Sequence, residues 1–285
     1  MIRPQDSMIT PAENRCVQMM YREAGKALLV AVFFAVACSV TASATAPDAT
    51  PLKVGVDTLP LPPGATDFRL YTPEGFDVLI AERIAERLGR ELELVKLAAS
   101  DRGPALARHD VDLVLGRLAD DDPLSGQARI IDAGFRSGVT VAMRTDTDIT
   151  RWSDLSGRTV CVSRGNAQAL ELAEHSHAKV RIEEAPAQSL VQVRTGACDA
   201  AIHDEALLKR LFQETGWQKF SATLPPSRPT GLVAAVSLDN RALAENIELA
   251  LAQVASPKAW DEFQAKWASH VALEVYLDQD APDCH

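Results

Sequence analysis

Apolar and polar residues alternate along Leu52-Lys53-Val54-Gly55-Val56-Asp57, the period of a half-buried strand, and Asp57 closes the run. The period then lengthens. Val78, Ile80, Ala81, Ile84, Ala85 and Leu88 share one face of a helix over Phe76 to Leu88, and Gly89 is its stop signal. Alternation returns over Glu91 to Leu97, a second strand. A short helix over Pro104 to Arg108 leads to a buried third strand, Val111 to Gly116. Residues 117–138 show no regular period and read as irregular. Strand–helix–strand–helix–strand implies a parallel sheet.

The same rhythm recurs further on. An apolar, β-branched strand covers Val139 to Met143. Strands at Thr159–Val162, Val180–Glu184 and Cys198–Ile202 then alternate with helices at Asn166–His175, Gln188–Thr195 and Glu205–Thr215. A strand over Gly231 to Val236, amphipathic helices over Asn240–Ala255 and Ala259–Trp267, and a tail over 271–285 complete the chain. The fold class is α/β with two small lobes, and pockets favour the interface between such units. The expected divisions are 1–44 as a leader, 45–140 as the first part of lobe 1, 141–230 as lobe 2, and 231–285 as the return to lobe 1 with a C-terminal tail. If 139–143 and 231–236 cross between lobes, lobe 1 is discontinuous and the crossings form a hinge.

One stretch gathers chemistry. The run Ala200-Ala201-Ile202 reads as a short buried strand that delivers His203 and Asp204 to its carboxyl end, where open parallel sheets bind ligands. Asp204 there is either a ligand contact or the N-cap of the next helix. His203 is either a contact or a packing residue. Gly165-Asn166, at a strand-to-helix turn, offers free N–H donors to an anion, or is a plain turn.

Composition narrows the class. The net charge of −10 over 285 residues excludes an extended nucleic-acid surface, and 47% apolar residues fit a globular chain with a real core. Ala27 to Cys38 is an unbroken apolar run of 12 residues, preceded by Arg22 and Lys26 and followed by Ala42-Ser43-Ala44. That is the form of a secretory signal peptide, too short to span a membrane, so the mature chain is expected in the periplasm. A lipid anchor at Cys38 is the alternative. Cys161 and Cys198 lie on or beside strands that could be neighbours, so a disulfide and two buried thiols are both open; Cys284 is left over. No phosphate loop, serine elbow or zinc helix is present, and no cofactor is expected. His175-Ser176-His177 lacks a third ligand and reads as a helix-end turn, and Asp120-Asp121-Asp122 reads as a solvated loop.

Four segments, in their order and spacing, carry a resemblance: Gly75-Phe76-Asp77-Val78, Val111 to Gly116, Asp154 to Val160 with Gly165-Asn166 after it, and Cys198 to Asp204. Together with Trp267, they make residues 52–268 resemble the extracytoplasmic solute-binding proteins of polar amino-acid ABC importers. The resemblance implies a two-lobed venus-flytrap fold of type II that closes on a small polar solute. It implies a monomer that serves a membrane permease, and no catalysis. It implies ligand contacts from Asp57, from the Gly165-Asn166 turn to a carboxylate, and from Asp204 to an ammonium group with His203 beside it. The family's clamp arginine is missing after the third strand, where this chain has Gly116-Arg117-Leu118-Ala119-Asp120. Arg117 either clamps from a different position or is a surface arginine paired with Asp120–Asp122. Two alternatives accompany the binding protein: a cyclohexadienyl-dehydratase-like lyase on the same scaffold, and an accessory partner of a periplasmic oxidoreductase or sensor.

Overall fold

The computed structural model describes residues 50–60 and 71–279; the leader, Cys38 and Cys284 lie outside them. The first half builds β1 (Leu52–Val56), α1 (Asp77–Leu88), β2 (Leu92–Lys96), α2 (Arg102–Ala107), β3 (Leu113–Leu118) and β4 (Ala128–Ser137). The second builds β5 (Val139–Met143), β6 (Thr159–Ser163), α3 (Ala167–His175), β7 (Lys179–Glu183), α4 (Pro186–Thr195), β8 (Ala200–Asp204) and α5 (Glu205–Leu211). The chain ends with β9 (Thr230–Ser237), α6 (Arg241–Val254) and α7 (Pro257–Asp278).

Two sheets result. One has the order β2-β1-β3-β9-β4, the other β5-β8-β6-β7. The crossovers through α1 and α2, and through α3 and α4, make β1–β3 and β6–β8 parallel. β9 runs antiparallel between β3 and β4, and β5 runs antiparallel along β8. The chain leaves the first sheet at Ser137 and enters the second at Val139, and it returns into β9 at Thr230. Each lobe is thus a sheet with helices on its faces, and the fold is the two-lobed one that the rhythm implies.

The two crossings touch. Val139 N donates to Ser227 Oγ and Ser227 N to the Val139 carbonyl, both at 2.9 Å. Gly138 lies between them, and a β-carbon there would run into the Ser227 carbonyl oxygen, so only glycine lets the strands approach this closely.

Several elements differ from the pattern reading. Residues 128–137 form a ten-residue strand rather than irregular chain. Its alternation is broken by Gly134 (φ 80°) and by a register shift between Asp132 and Arg136, which hides the period of 2. The tail after residue 270 continues α7 to Asp278, because Val271 and Val275 stay on the buried face below Trp267. The last strand of the second lobe lies at 200–204, so His203 and Asp204 are within it.

An aromatic cluster joins the ends of the chain. Phe76 meets Phe135, Trp260 and Trp267 edge-on at 4.9, 5.3 and 4.9 Å between centroids. Such contacts add to the area they bury. Cys161 and Cys198 form a disulfide inside the second lobe. Among the described residues, no helix is long and apolar enough to cross a membrane.

Candidate functional site

α7 sets the first arm of the site. Trp267 Nε1 donates to the Pro73 carbonyl at 3.2 Å, and Glu274 accepts from Thr72 N and Oγ1 at 2.9 and 2.6 Å. The segment ahead of α1 is therefore pinned, and the next residue, Glu74, is pushed across to the second lobe. Its carboxylate accepts from Ser163 Oγ, from Asn166 Nδ2 at 3.0 Å, and pairs with His203 Nδ1 at 3.2 Å. Burial acts to raise the Glu74 carboxyl. The bond and charge of His203, with the bonds from Ser163 and Asn166, overcome it and hold the group below its ordinary value.

Gly165 and Asn166 form the turn beneath this carboxylate. Gly165 adopts φ 93°, a conformation that favours glycine, with Thr58 and Glu74 against it. Asn166 caps α3 through Oδ1, which accepts from Ala169 N at 2.9 Å, and its amide nitrogen stays free to hold Glu74. His203 is fully enclosed, with Nε2 3.0 Å from Ser189 Oγ on α4. The Asn166 side-chain amide thus holds a carboxylate of the chain itself, while its backbone N–H donates to the Ser163 carbonyl.

Arg117 sets the second arm. It points neither outward nor to the aspartate run, whose Asp120 pairs with Arg136 instead. Its Nη1 lies 2.9 Å from both oxygens of Asp204. Nε donates to Thr230 Oγ1 at 2.9 Å, Nη2 donates to the Ser137 carbonyl and to that of Thr230, and the Phe135 ring lies 5.3 Å away. Asp204 occupies the N-cap position of α5, yet its side chain makes no cap bond. Of the two expected roles, ligand contact or cap, the side-chain cap is not made, and the carboxylate pairs with Arg117 instead. Burial raises the Asp204 carboxyl against the opposing pull of Arg117, and the Glu74 charge adds to the rise.

Asp57 stays with the first lobe. Both its oxygens lie 2.6 Å from Nη2 of Arg102 on α2, a buried arginine whose Nε has no partner. Burial and the Asp57 charge push the neighbouring Asp77 up to about 6. So five of the six expected residues (Arg117, Gly165, Asn166, His203, Asp204) line the facing surfaces of the lobes in one cluster with Glu74, and Asp57 forms a separate pair. Sequence reasoning missed Glu74 and Arg102. Pro73-Glu74-Gly75 looks like an ordinary turn, and the only hint was its place just ahead of a helix. Arg102 carried no signal beyond its position before Pro104. Among the described residues no group of three or more metal-ligating side chains is present. Two surface pockets, of about 380 and 130 Å³, are lined by other residues: Arg90, Asp112 and Asn240 in the first, Arg210 and Ser269 in the second.

Two lobes joined by a cross-lobe cluster of charged and polar side chains give the chain the architecture of a two-lobed binding protein. The chain belongs to the bacterial extracellular solute-binding proteins, family 3, which it matches over residues 52–270. It is therefore an extracytoplasmic solute-binding protein, and the family is one of binding proteins and not of enzymes. It is similar to the ABC transporter glutamine-binding protein GlnH of Bacillus subtilis (strain 168), 24% identical over 199 residues, 68% of this chain and 72% of the relative. It is also similar to the arginine-binding extracellular protein ArtP of the same organism, 23% identical over 197 residues, 68% of this chain and 77% of the relative. Among solved structures, a mutant of ArgBP from T. maritima shares the fold at 23% identity and a TM-score of 0.52, covering 76% of this chain and 95% of its own.

Proposed function

We propose that this protein captures a small polar solute between its lobes and delivers it to the membrane permease of an ABC importer. The observation that carries the reading is the cross-lobe cluster: Asp204 and His203 on β8 and the Gly165-Asn166 turn on one side, Arg117 and Glu74 on the other. Curated relatives of the same family bear glutamine- and arginine-binding names, which supports an amino acid or a related solute. In this reading Asp204 meets the positive group of the solute, with His203 beside it. Asn166 and Gly165 line the same side as Asp204, Arg117 yields Asp204 or joins the solute, and Asp57 lines the mouth.

Residues 45–140 with 231–285, and residues 141–230, are the two bodies that close. The segments around Gly138 and Ser227 are the hinge between them. The leader with its apolar run from Ala27 to Cys38 exports the chain to the periplasm, where it works as a monomer. A thermal-shift screen of the purified protein against amino acids, their amines, dipeptides and organic acids tests the function. Stabilisation by one class of small polar solute is expected. A flat response to all of them would sink the proposal.

A further inference from the structure

The geometry points to Glu74 as the residue that sets the class of solute: its carboxylate fills the anion-holding turn at Ser163 and Asn166, so the cleft takes an organic cation without a carboxylate, an amine or guanidine, against Asp204. This rests on the solute-binding reading above and deepens it.

Three observations carry it. First, the side-chain donors of the second lobe at this turn are spent. Ser163 Oγ and Asn166 Nδ2 both go to Glu74, and His203 pairs with it. A solute carboxylate approaching there would meet a fixed carboxylate in an enclosed site, where like charges are least screened. Second, the Asp204 pole already shows which chemistry it accepts. The Arg117 guanidinium sits among a carboxylate, two carbonyls, a hydroxyl and an aromatic face, a set that serves cations and offers nothing to an anion. Third, Arg117 can surrender Asp204 without being stranded. Its remaining acceptors, Ser137 and Thr230, lie where the chain crosses between the sheets, and the side chain is 26% exposed. An incoming cation then faces the released Asp204 carboxylate, with the Glu74 charge near enough to act on it. The incomplete compensation of Asp204 by Arg117 is in keeping with this.

Isothermal titration calorimetry with matched pairs tests the inference: agmatine against arginine, putrescine against ornithine, cadaverine against lysine. Each pair differs only by the carboxylate. The wild-type protein is expected to bind at least one decarboxylated member about tenfold or more tightly than its amino acid. Glu74→Gln, which keeps the volume and removes the charge, and Glu74→Ala are both expected to narrow or reverse that preference by about tenfold. Thermal unfolding confirms that each variant is folded. A wild-type protein that binds the amino acid as tightly as its amine, or a preference unchanged by both substitutions, overturns the role of Glu74 and leaves the solute-binding reading standing. No binding of either class by the wild type or by either Glu74 variant overturns that reading and the inference with it.

Discussion

Glu74 and Asp204 are both enclosed carboxylates in one cleft, and they are pushed in opposite directions. Glu74 lies below its ordinary value because Ser163, Asn166 and His203 together outweigh burial. Asp204 lies above its own because burial outweighs Arg117, with Glu74 adding to the rise. One carboxylate is saturated and the other is under-served. They also differ in what holds their partners. Every partner of Glu74 belongs to the second lobe, so opening the cleft breaks the whole set. Arg117 is tied to Ser137 and Thr230 at the crossings, which are bonded to each other through Val139 and Ser227. In the proposed reading Glu74 is thus a latch between lobes, and Arg117 is a counter-charge held at the crossings whose bond to Asp204 can be exchanged.

Removing Arg117 tests that contrast most severely. Arg117→Ala leaves a carboxylate with a side-chain exposure of 3% and no cation. Stripping one member from a buried pair costs about 3–5 kcal/mol, and urea unfolding at pH 7 reads it. Arg117→Lys keeps the charge but loses the fork that reaches Asp204 and the crossings at once, so a smaller loss of about 1–2 kcal/mol is expected. A loss below about 1 kcal/mol in Arg117→Ala would show that Asp204 does not depend on this partner.

The disulfide ranks next. Cys161 lies on β6, which leads to Ser163 and Asn166, and Cys198 lies just ahead of β8, which carries His203 and Asp204. The bridge therefore fixes the strand holding the Glu74 turn against the strand holding Asp204. With the cysteines 37 positions apart, Cys161→Ala with Cys198→Ala is expected to lower stability by about 2–4 kcal/mol. Equal stability of the double variant and the oxidised wild type would remove the bridge from this account.

Much of the scaffold was legible because it follows period. Val78 to Leu88 and the runs at 52–57, 159–162 and 200–202 alternate or repeat cleanly, and the elements form there. β4 was hidden because Gly134 and the shifted register break the alternation that marks a strand. Within the site, Asp204, His203 and the 165–166 turn could be placed because a strand end and a helix start are local features. Their partners could not. Glu74 depends on Trp267 and Glu274 holding residues 72–73 from nearly 200 positions away, and no local pattern encodes that contact. The direction of Arg117 was undecidable for a similar reason: its acceptors at Ser137, Asp204 and Thr230 come from three separate segments.

A smaller effect separates the latch from its surroundings. Asp77 follows Glu74 by three residues and is pushed up to about 6 from 3.8 by burial and Asp57. A raised carboxyl binds its proton more tightly in the folded state, so its cost is absent near pH 4, grows through pH 6, and is full above it. Asp77→Asn is expected to raise stability by about 1–2 kcal/mol at pH 7.5 and by nothing near pH 4. An equal gain at both values would mean that charge at Asp77 is not the source.

The latch itself has the opposite sign, and it should move shape more than stability. Glu74 lies below its ordinary value of 4.5 in the closed form. Its contribution to closure is complete above that value and is lost as the pH falls through the lowered one. Small-angle scattering of the unliganded protein is expected to show the closed dimensions at neutral pH and an expansion on acidification before the lobes unfold. Asp204 acts against this trend, since its raised carboxyl is relieved by protonation, so the wild-type curve alone mixes two groups. Glu74→Gln separates them. If the latch is Glu74, the variant scatters as the open form at neutral pH and no longer expands on acidification. A variant with the wild-type profile would assign closure to the Arg117–Asp204 arm and erase the distinction between the two carboxylates.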